Sequence, residues 1–193
     1  KAEEAGADVI IGEGYEAAGI NSPQELTTLT LIQQLNAAIS IPVVAAGGIS
    51  NGQGLAAMMM LGAQGVQMGT RFAATKDAPF SAAYKEKILQ AADDCTVVLG
   101  RKVGRVRRVL KTPYADSLLE KENQNLSLEE WAELTSEKFH IKGAIEGNEK
   151  EGFMNSGQIA ACIQDLPSVD ELLQTMIKES EETVKNIYDL FSK

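Results

Sequence analysis

Gly47, Gly48, Gly69 and Thr70 are the residues whose type and spacing best suit chemistry. Gly47-Gly48 closes the apolar run Ile41-Pro42-Val43-Val44-Ala45-Ala46, and Gly69-Thr70 closes Gly65-Val66-Gln67-Met68. Both runs have strand length and β-branched content, and the Ala-, Met- and Leu-rich stretch Gly52 to Leu61 between them favours helix. Glycine lets a backbone turn sharply and approach a ligand with no Cβ in the way. Two such turns, at the ends of neighbouring parallel strands, would present bare backbone N–H groups. The helix after the first turn is expected to aim its amino-terminal N–H groups and positive dipole end at the same point. Thr70 would add a hydroxyl donor. Donors converging from fixed backbone suit a phosphate, so the pattern predicts a phosphate cradle and a phosphorylated cofactor or substrate.

Other reactive side chains are scattered. Arg71 has two readings: a partner for the phosphate, or a tie holding this end of the sheet together. Glu13 and Glu16 have a spacing that acid–base work could use, but a solvated loop face is the preferred reading. Tyr15 either lines a pocket or packs. His140 is the single histidine and has no nucleophile or ligand beside it, which favours a structural or surface role. Trp131 and Met58-Met59-Met60 read as packing at helical positions. No metal-ligand spacing and no Gly-x-Ser-x-Gly elbow is present, so no metal site is expected.

The elements that must position these residues follow from periodicity. Val9-Ile10-Ile11 predicts a short buried strand that ends at Gly12-Glu13-Gly14, followed by a loop from Tyr15 to Glu25. Leu29, Ile32 and Leu35 give Thr27 to Ala38 a helical spacing. Strand starts near Val9, Val43 and Val66, with helices between, predict βα units in a parallel sheet that is apolar on both faces. Beyond Phe72 the pattern changes: helix over Ser81 to Ala92, an extended run Thr96 to Leu99, and alternating basic and apolar residues from Arg105 to Leu110. Ser127/Glu130 and Ser168/Glu171 are capping boxes. Gly143 to Gly157 reads as a loop, Ser156 to Ile163 as a short helix, and Val169 to about Phe191 as a long one. A boundary is expected near residue 77, with βα units in 1–77 and a mostly helical appendage in 78–193.

The fold class is therefore α/β. Glycine-closed phosphate turns after consecutive strands occur after the last two strands of a (β/α)8 barrel. Three βα units cannot close eight strands, and they leave parallel edges open. Lys1 to Asp8 reads as the end of a helix. The expectation is the carboxyl-terminal part of a TIM barrel, with an appendage that closes it.

Composition narrows the partners. The chain has 193 residues, 44% of them hydrophobic, a formal net charge of −9 and a sequence pI near 4.7. This acidity argues against nucleic acid. No apolar run is long enough to span a bilayer and no signal peptide opens the chain, so a cytoplasmic protein without a membrane partner is expected. Cys95 and Cys162 are far apart and read as reduced thiols. The basic stretch Arg101 to Lys111 could face a phosphate, an acidic carrier protein or solvent.

Taken together, these segments resemble the nitronate monooxygenases, formerly 2-nitropropane dioxygenases, and the related FMN-dependent enoyl-acyl-carrier-protein reductases of the FabK type. Glu13-Gly14-Tyr15-Glu16-Ala17-Ala18-Gly19 is similar to the family loop after the sixth strand. Ile41 to Ile49 is similar to its Pro-Val-x-Ala-Gly-Gly-Ile segment, and Gln67 to Phe72 to its Met-Gly-Thr-Arg-Phe segment. Gly157-Gln158-Ile159-Ala160-Ala161 resembles the late Gly-Gln-x-Ala-Gly signature, with Ala161 in place of glycine. The resemblance implies FMN, its phosphate at Gly47-Gly48 and Gly69-Thr70, with Ala46 beside it and Ala18 and Gly19 near the flavin ring. It implies a small-molecule substrate, an alkyl nitronate or an enoyl thioester. The reading is open to a homodimer. One position departs from the family: Ile20 stands where the loop's catalytic histidine is expected, so no catalytic side chain is assigned.

Overall fold

The computed structural model describes residues 1–192. The chain first lays down a parallel sheet. Strand β1 is Ile10–Glu13. The two-residue strand β2, Gly19–Ile20, lies in the loop after it. Helix α1 (Thr28–Ala38), β3 (Val43–Ala46), helix α2 (Gly52–Met60) and β4 (Gly65–Gln67) follow. The sheet order is β1-β3-β4, all parallel, with Ile11, Val44 and Gly65 in one row and Glu13, Ala46 and Gln67 in the next but one. Both connections are helical crossovers, as parallel neighbours require.

The two faces of this sheet are covered unequally. Val43 and Ala45 are fully buried against a core shared with Ile32, Ile49, Ala63 and Met68. On the other face Ile11 is 53% exposed, and Glu13 and Gln67 at the carboxyl edge are exposed as well. The burial expected on both faces is therefore stronger on the helix side than on the other. The methionine run divides similarly: Met58 packs on the core, whereas Met59 and Met60 are exposed.

After a single helical turn, α3 (Thr70–Ala73), and α4 (Ala82–Leu89), the chain forms strands β5 (Thr96–Leu99) and β6 (Arg107–Leu110). These pair antiparallel, and β2 adds to the far side of β6 in the order β2-β6-β5. A small sheet thus stands among the helices of this half, on the extended run expected at Thr96 to Leu99 and the alternation after Arg105. β-Branched Thr96-Val97-Val98 and the alternation around Val106 and Val109 build a sheet there. The loop after β1 contributes its third strand.

Helices α5 (Pro113–Asn123), α6 (Leu128–Leu134) and α7 (Glu137–His140) then pack around Leu99, Val109 and Phe153. A π turn at Ile141–Ile145 opens the segment expected to be loop. A 3-10 turn at Gln158–Cys162 replaces the short helix. The last helix, α8 (Val169–Phe191), begins at the Ser168/Glu171 capping box and packs on α2. Its start is tied to the first half of the chain, where Val169 N donates to Asp77 Oδ2 at 2.6 Å. Among the described residues no helix is long and apolar enough to cross a membrane.

Candidate functional site

The two glycine turns meet at the carboxyl edge of the parallel sheet. They line a cleft of about 210 Å³ whose walls include Ala17, Ala18, Ala46, Gly47, Gly48, Gly69 and Thr70. A larger depression of about 760 Å³ lies between α5 and α6, lined by Lys121, Glu129, Glu130 and Glu133 among others. It is a surface groove with no converging backbone donors, so the smaller cleft is the candidate.

Gly47 and Gly48 have φ values of +95° and +74°, which side-chain-bearing residues rarely adopt. This turn carries the chain out of β3 and back toward α2. A Cβ on Gly47 would come within 3.1 Å of Ala17 N, the Gly14 carbonyl oxygen and Thr28 Oγ1, so the turn is also hemmed in from the loop side. Gly69 differs. Its φ is −92°, and a Cβ there would meet nothing within 4 Å. Neither backbone geometry nor packing demands glycine at this position. The space kept clear lies in the cleft, which fits a bound group approaching the backbone.

Thr70 is buried, and its Oγ1 accepts a hydrogen bond from Gly157 N at 2.8 Å. The hydroxyl proton is thus left to donate elsewhere. Gly157 also approaches the loop closely: a Cβ on it would be 2.8 Å from the Glu16 carbonyl oxygen. Through these contacts Gly157 and Ile159 form a third wall. Sequence reasoning singled out this segment as a family signature but did not place it at the site.

The helix contribution requires correction. Asn51 caps α2 by accepting from Gly54 N at 2.9 Å. The Glu179 carboxylate of α8 accepts from Gly52 N at 2.9 Å. The amino terminus of α2 is therefore occupied by the chain's own side chains, and its first residues do not line the cleft.

Arg71 takes the second of its two readings. Its guanidinium is buried, pairs with Asp165 Oδ1 at 2.8 Å and donates to the Ala74 carbonyl at 3.4 Å. It ties α3 to the segment before α8. Glu16 is likewise structural: its carboxylate accepts from Thr28 N at 2.9 Å and from Thr28 Oγ1 at 3.0 Å, holding the loop on the start of α1. Glu13 alone brings a carboxyl group to the cleft, and partial desolvation pushes its pKa above the ordinary carboxylate value.

The basic stretch is largely used within the chain. The Arg108 guanidinium lies 4.6 Å from the Tyr15 ring centroid, and its Nε donates to the Tyr15 carbonyl at 3.2 Å. Arg101 pairs with Glu25 at 2.7 Å and hydrogen-bonds the Tyr15 hydroxyl. Tyr15 therefore packs rather than lining the cleft. His140 stacks on Phe153 with centroids 5.4 Å apart, and burial followed by the nearby Arg107 charge lowers its pKa. Trp131 is buried in the core of the second half, as expected. Gly19 and Ile20 continue from the cleft wall as β2, and Ile20 is 72% exposed.

Comparison with known proteins assigns the family: the nitronate monooxygenase model matches residues 1–179. The chain belongs to the nitronate monooxygenase family. A 5-hydroxy-7a-methyl-1-oxo-octahydro-1H-indene-4-carboxyl-CoA dehydrogenase of Mycobacterium tuberculosis is 32% identical over 91% of this chain and 60% of its own length. A probable nitronate monooxygenase of Staphylococcus saprophyticus is 33% identical over 93% of this chain and 53% of its own length. The structure of FabK from Thermotoga maritima superposes with a TM-score of 0.91 at 39% identity, covering 98% of this chain and 59% of that one. This family member thus spans little more than half the length of the relatives it matches. The names of both curated relatives are those of oxidoreductases.

Proposed function

We propose that this chain carries the phosphate-holding side of an FMN site in an oxidoreductase that oxidises alkyl nitronates with oxygen. The observation that supports this reading is the cleft at the ends of β3 and β4. Gly47 and Gly48 turn there on positive φ, and Gly69 leaves open space where a side chain would otherwise stand. Gly47, Gly48, Gly69 and the Thr70 hydroxyl would hold the phosphate, with Ala46 beside it and Ala18 and Gly19 toward the ring. At about 210 Å³ the cleft has the volume of roughly seven waters at their liquid share of ~30 Å³ each, suited to a phosphate and its adjoining atoms. FMN when bound supplies the redox chemistry, and the protein orients it and shields it from water.

The chain's own residues restrict which reaction fits. Ile20 has no proton to exchange, and its exposure leaves an alkyl group where the family histidine is expected. A nitronate is already an anion, so its oxidation needs no protein base. Reduction of an enoyl thioester ends in protonation and would feel the loss more. That second reading, an NAD(P)H-dependent enoyl-acyl-carrier-protein reductase, is favoured by one observation: the 39% identity to a FabK structure.

The deciding experiment is the absorption spectrum of the full-length purified protein, followed by anaerobic addition of propyl-2-nitronate. Flavin bands that bleach support nitronate oxidation. Bands that persist, with NAD(P)H oxidation dependent on a crotonyl thioester, support the reductase. Bands that persist with neither activity indicate a catalytically silent flavin binder. A colourless protein that takes up no FMN overturns the flavin reading.

A further inference from the structure

A second cleft of about 240 Å³ opens on the other side of the loop after β1, lined by Ile20, Arg105, Arg107, Leu128, Trp131 and Thr135 among others. Its walls combine two unlike chemistries. Trp131, Leu128 and Ile20 are apolar, and Leu128 and Ile20 are exposed at 43% and 72%. Arg105 and Arg107 are two residues apart on the approach to and start of β6, so their side chains project to the same side.

Neither arginine has a carboxylate within 4 Å among the described residues, although the chain's net charge is −9. Arg107 is half-buried and lies over the Phe153 ring at 4.8 Å. Its one side-chain hydrogen bond goes to Asn155 Oδ1 at 3.4 Å. Desolvation lowers its pKa, the mark of a cation without a counter-charge. The backbone beneath is fixed: Arg105 N donates to the Gly100 carbonyl at 2.8 Å, and Gly100 packs against the Trp131 ring.

We propose that this cleft binds an aliphatic oxyanion, a phosphate or carboxylate head on a hydrocarbon chain. The head would lie against Arg105 and Arg107, and the chain along Trp131, Leu128 and Ile20. A guanidinium fork matches a planar or tetrahedral oxyanion bidentately, which is a reason to find two arginines and no lysine here. The volume is about that of eight waters at ~30 Å³ each, roughly a six-carbon chain with its head group. Ala18 lines the first cleft and Ile20 the second, and two residues of extended backbone span no more than about 7 Å. The two clefts therefore flank one short loop segment, close enough for a ligand in the second to lie near the first. Its role as the anionic tail of the substrate rests on the flavin reading above, whereas the binding itself does not.

Trp131 is the only tryptophan of these 193 residues and lines the cleft, and a Trp131→Phe control assigns the fluorescence change to it. The test is a titration of the full-length protein with hexyl phosphate, read by Trp131 fluorescence, with inorganic phosphate and 1-hexanol as controls. A saturable change is expected for hexyl phosphate, at least tenfold weaker for each control. Arg105→Ala, at an exposed side chain, should weaken it about tenfold without changing the circular dichroism spectrum. Arg107→Gln should do the same or more. No saturable change, or equal affinity in Arg105→Ala, overturns the proposal, and so does equal binding of inorganic phosphate. A colourless protein that binds hexyl phosphate would keep this inference and remove the flavin reading. A yellow protein that does not bind it would do the reverse.

Discussion

Thr70 shows how one side chain joins the fold to the site. Its oxygen accepts the Gly157 N–H, and its proton remains for a ligand. Thr70→Val keeps the shape and removes both. A buried N–H left unpaired costs about 1–3 kcal/mol, so urea unfolding of Thr70→Val should show a loss in that range, which Thr70→Ser restores. If phosphate is held here, FMN retention should fall in Thr70→Val and recover in Thr70→Ser. Glu13 acts in the opposite direction. Its pKa is raised by desolvation, so its neutral form is favoured in the fold. The stability this gives is present below the ordinary value of about 4.5 and is lost as pH rises through the raised value. Glu13→Gln should therefore raise the melting temperature at pH 7 and leave it unchanged near pH 4. The carboxylate also shares the cleft with any bound phosphate, so the same variant should tighten FMN binding several-fold at pH 7. Unchanged affinity would place the phosphate away from Glu13. The Gly47-Gly48 turn was legible in the sequence because few residue types tolerate its positive φ values, whereas Gly69 has an ordinary φ and stood out by pattern alone. The roles of Arg71 and Glu16 were not, because their partners Asp165 and Thr28 are 94 and 12 residues away.

At the level of elements, local signals were read well where the chain's own neighbours decide the outcome. Helix α1, the three parallel strands and the two capping boxes follow from spacing within a few residues. Of the two α2 donors, Gly54 N is taken by the helix's own cap Asn51, and Gly52 N by Glu179, which arrives from α8, 127 residues on. Helix α5 went unpredicted although Thr112 caps it and Pro113 opens it, an ordinary start signal. Its Glu122 is buried and accepts from Gly100 N and Lys102 N, both at 2.8 Å. One carboxylate thus fastens α5 to the turn between β5 and β6. Glu122→Ala leaves the buried Gly100 N and the part-buried Lys102 N without a partner. At 1.5–3 kcal/mol for a hydrogen bond to a charged group, it should cost about 3 kcal/mol in urea unfolding. Because that turn packs on Trp131, the fluorescence of the native state should shift as well. A loss under about 1 kcal/mol would mean that water takes over both donors.

For the molecule as a whole, the described surface is unlike that of a stable monomer. The parallel sheet has one less covered face with Ile11 at 53% exposure, and Val9 beside it is 47% exposed. β1 and β4 are both edge strands of that sheet. On α8 the residues Leu173, Ile177, Val184, Tyr188 and Phe191 are all exposed and recur at helical spacing. Contiguous apolar surface and open strand edges promote association. Expressed as these 193 residues alone, the chain should elute from a sizing column above its 20.7 kDa mass at micromolar concentration. The net charge of −9 opposes this by self-repulsion, so the shift should grow with salt as that repulsion is screened. Ile11→Lys with Ile177→Lys should return the chain toward monomer if those faces drive it. A monodisperse monomer at all salt concentrations would show that the two faces are tolerated in water, and that neither is a surface the fold needs covered.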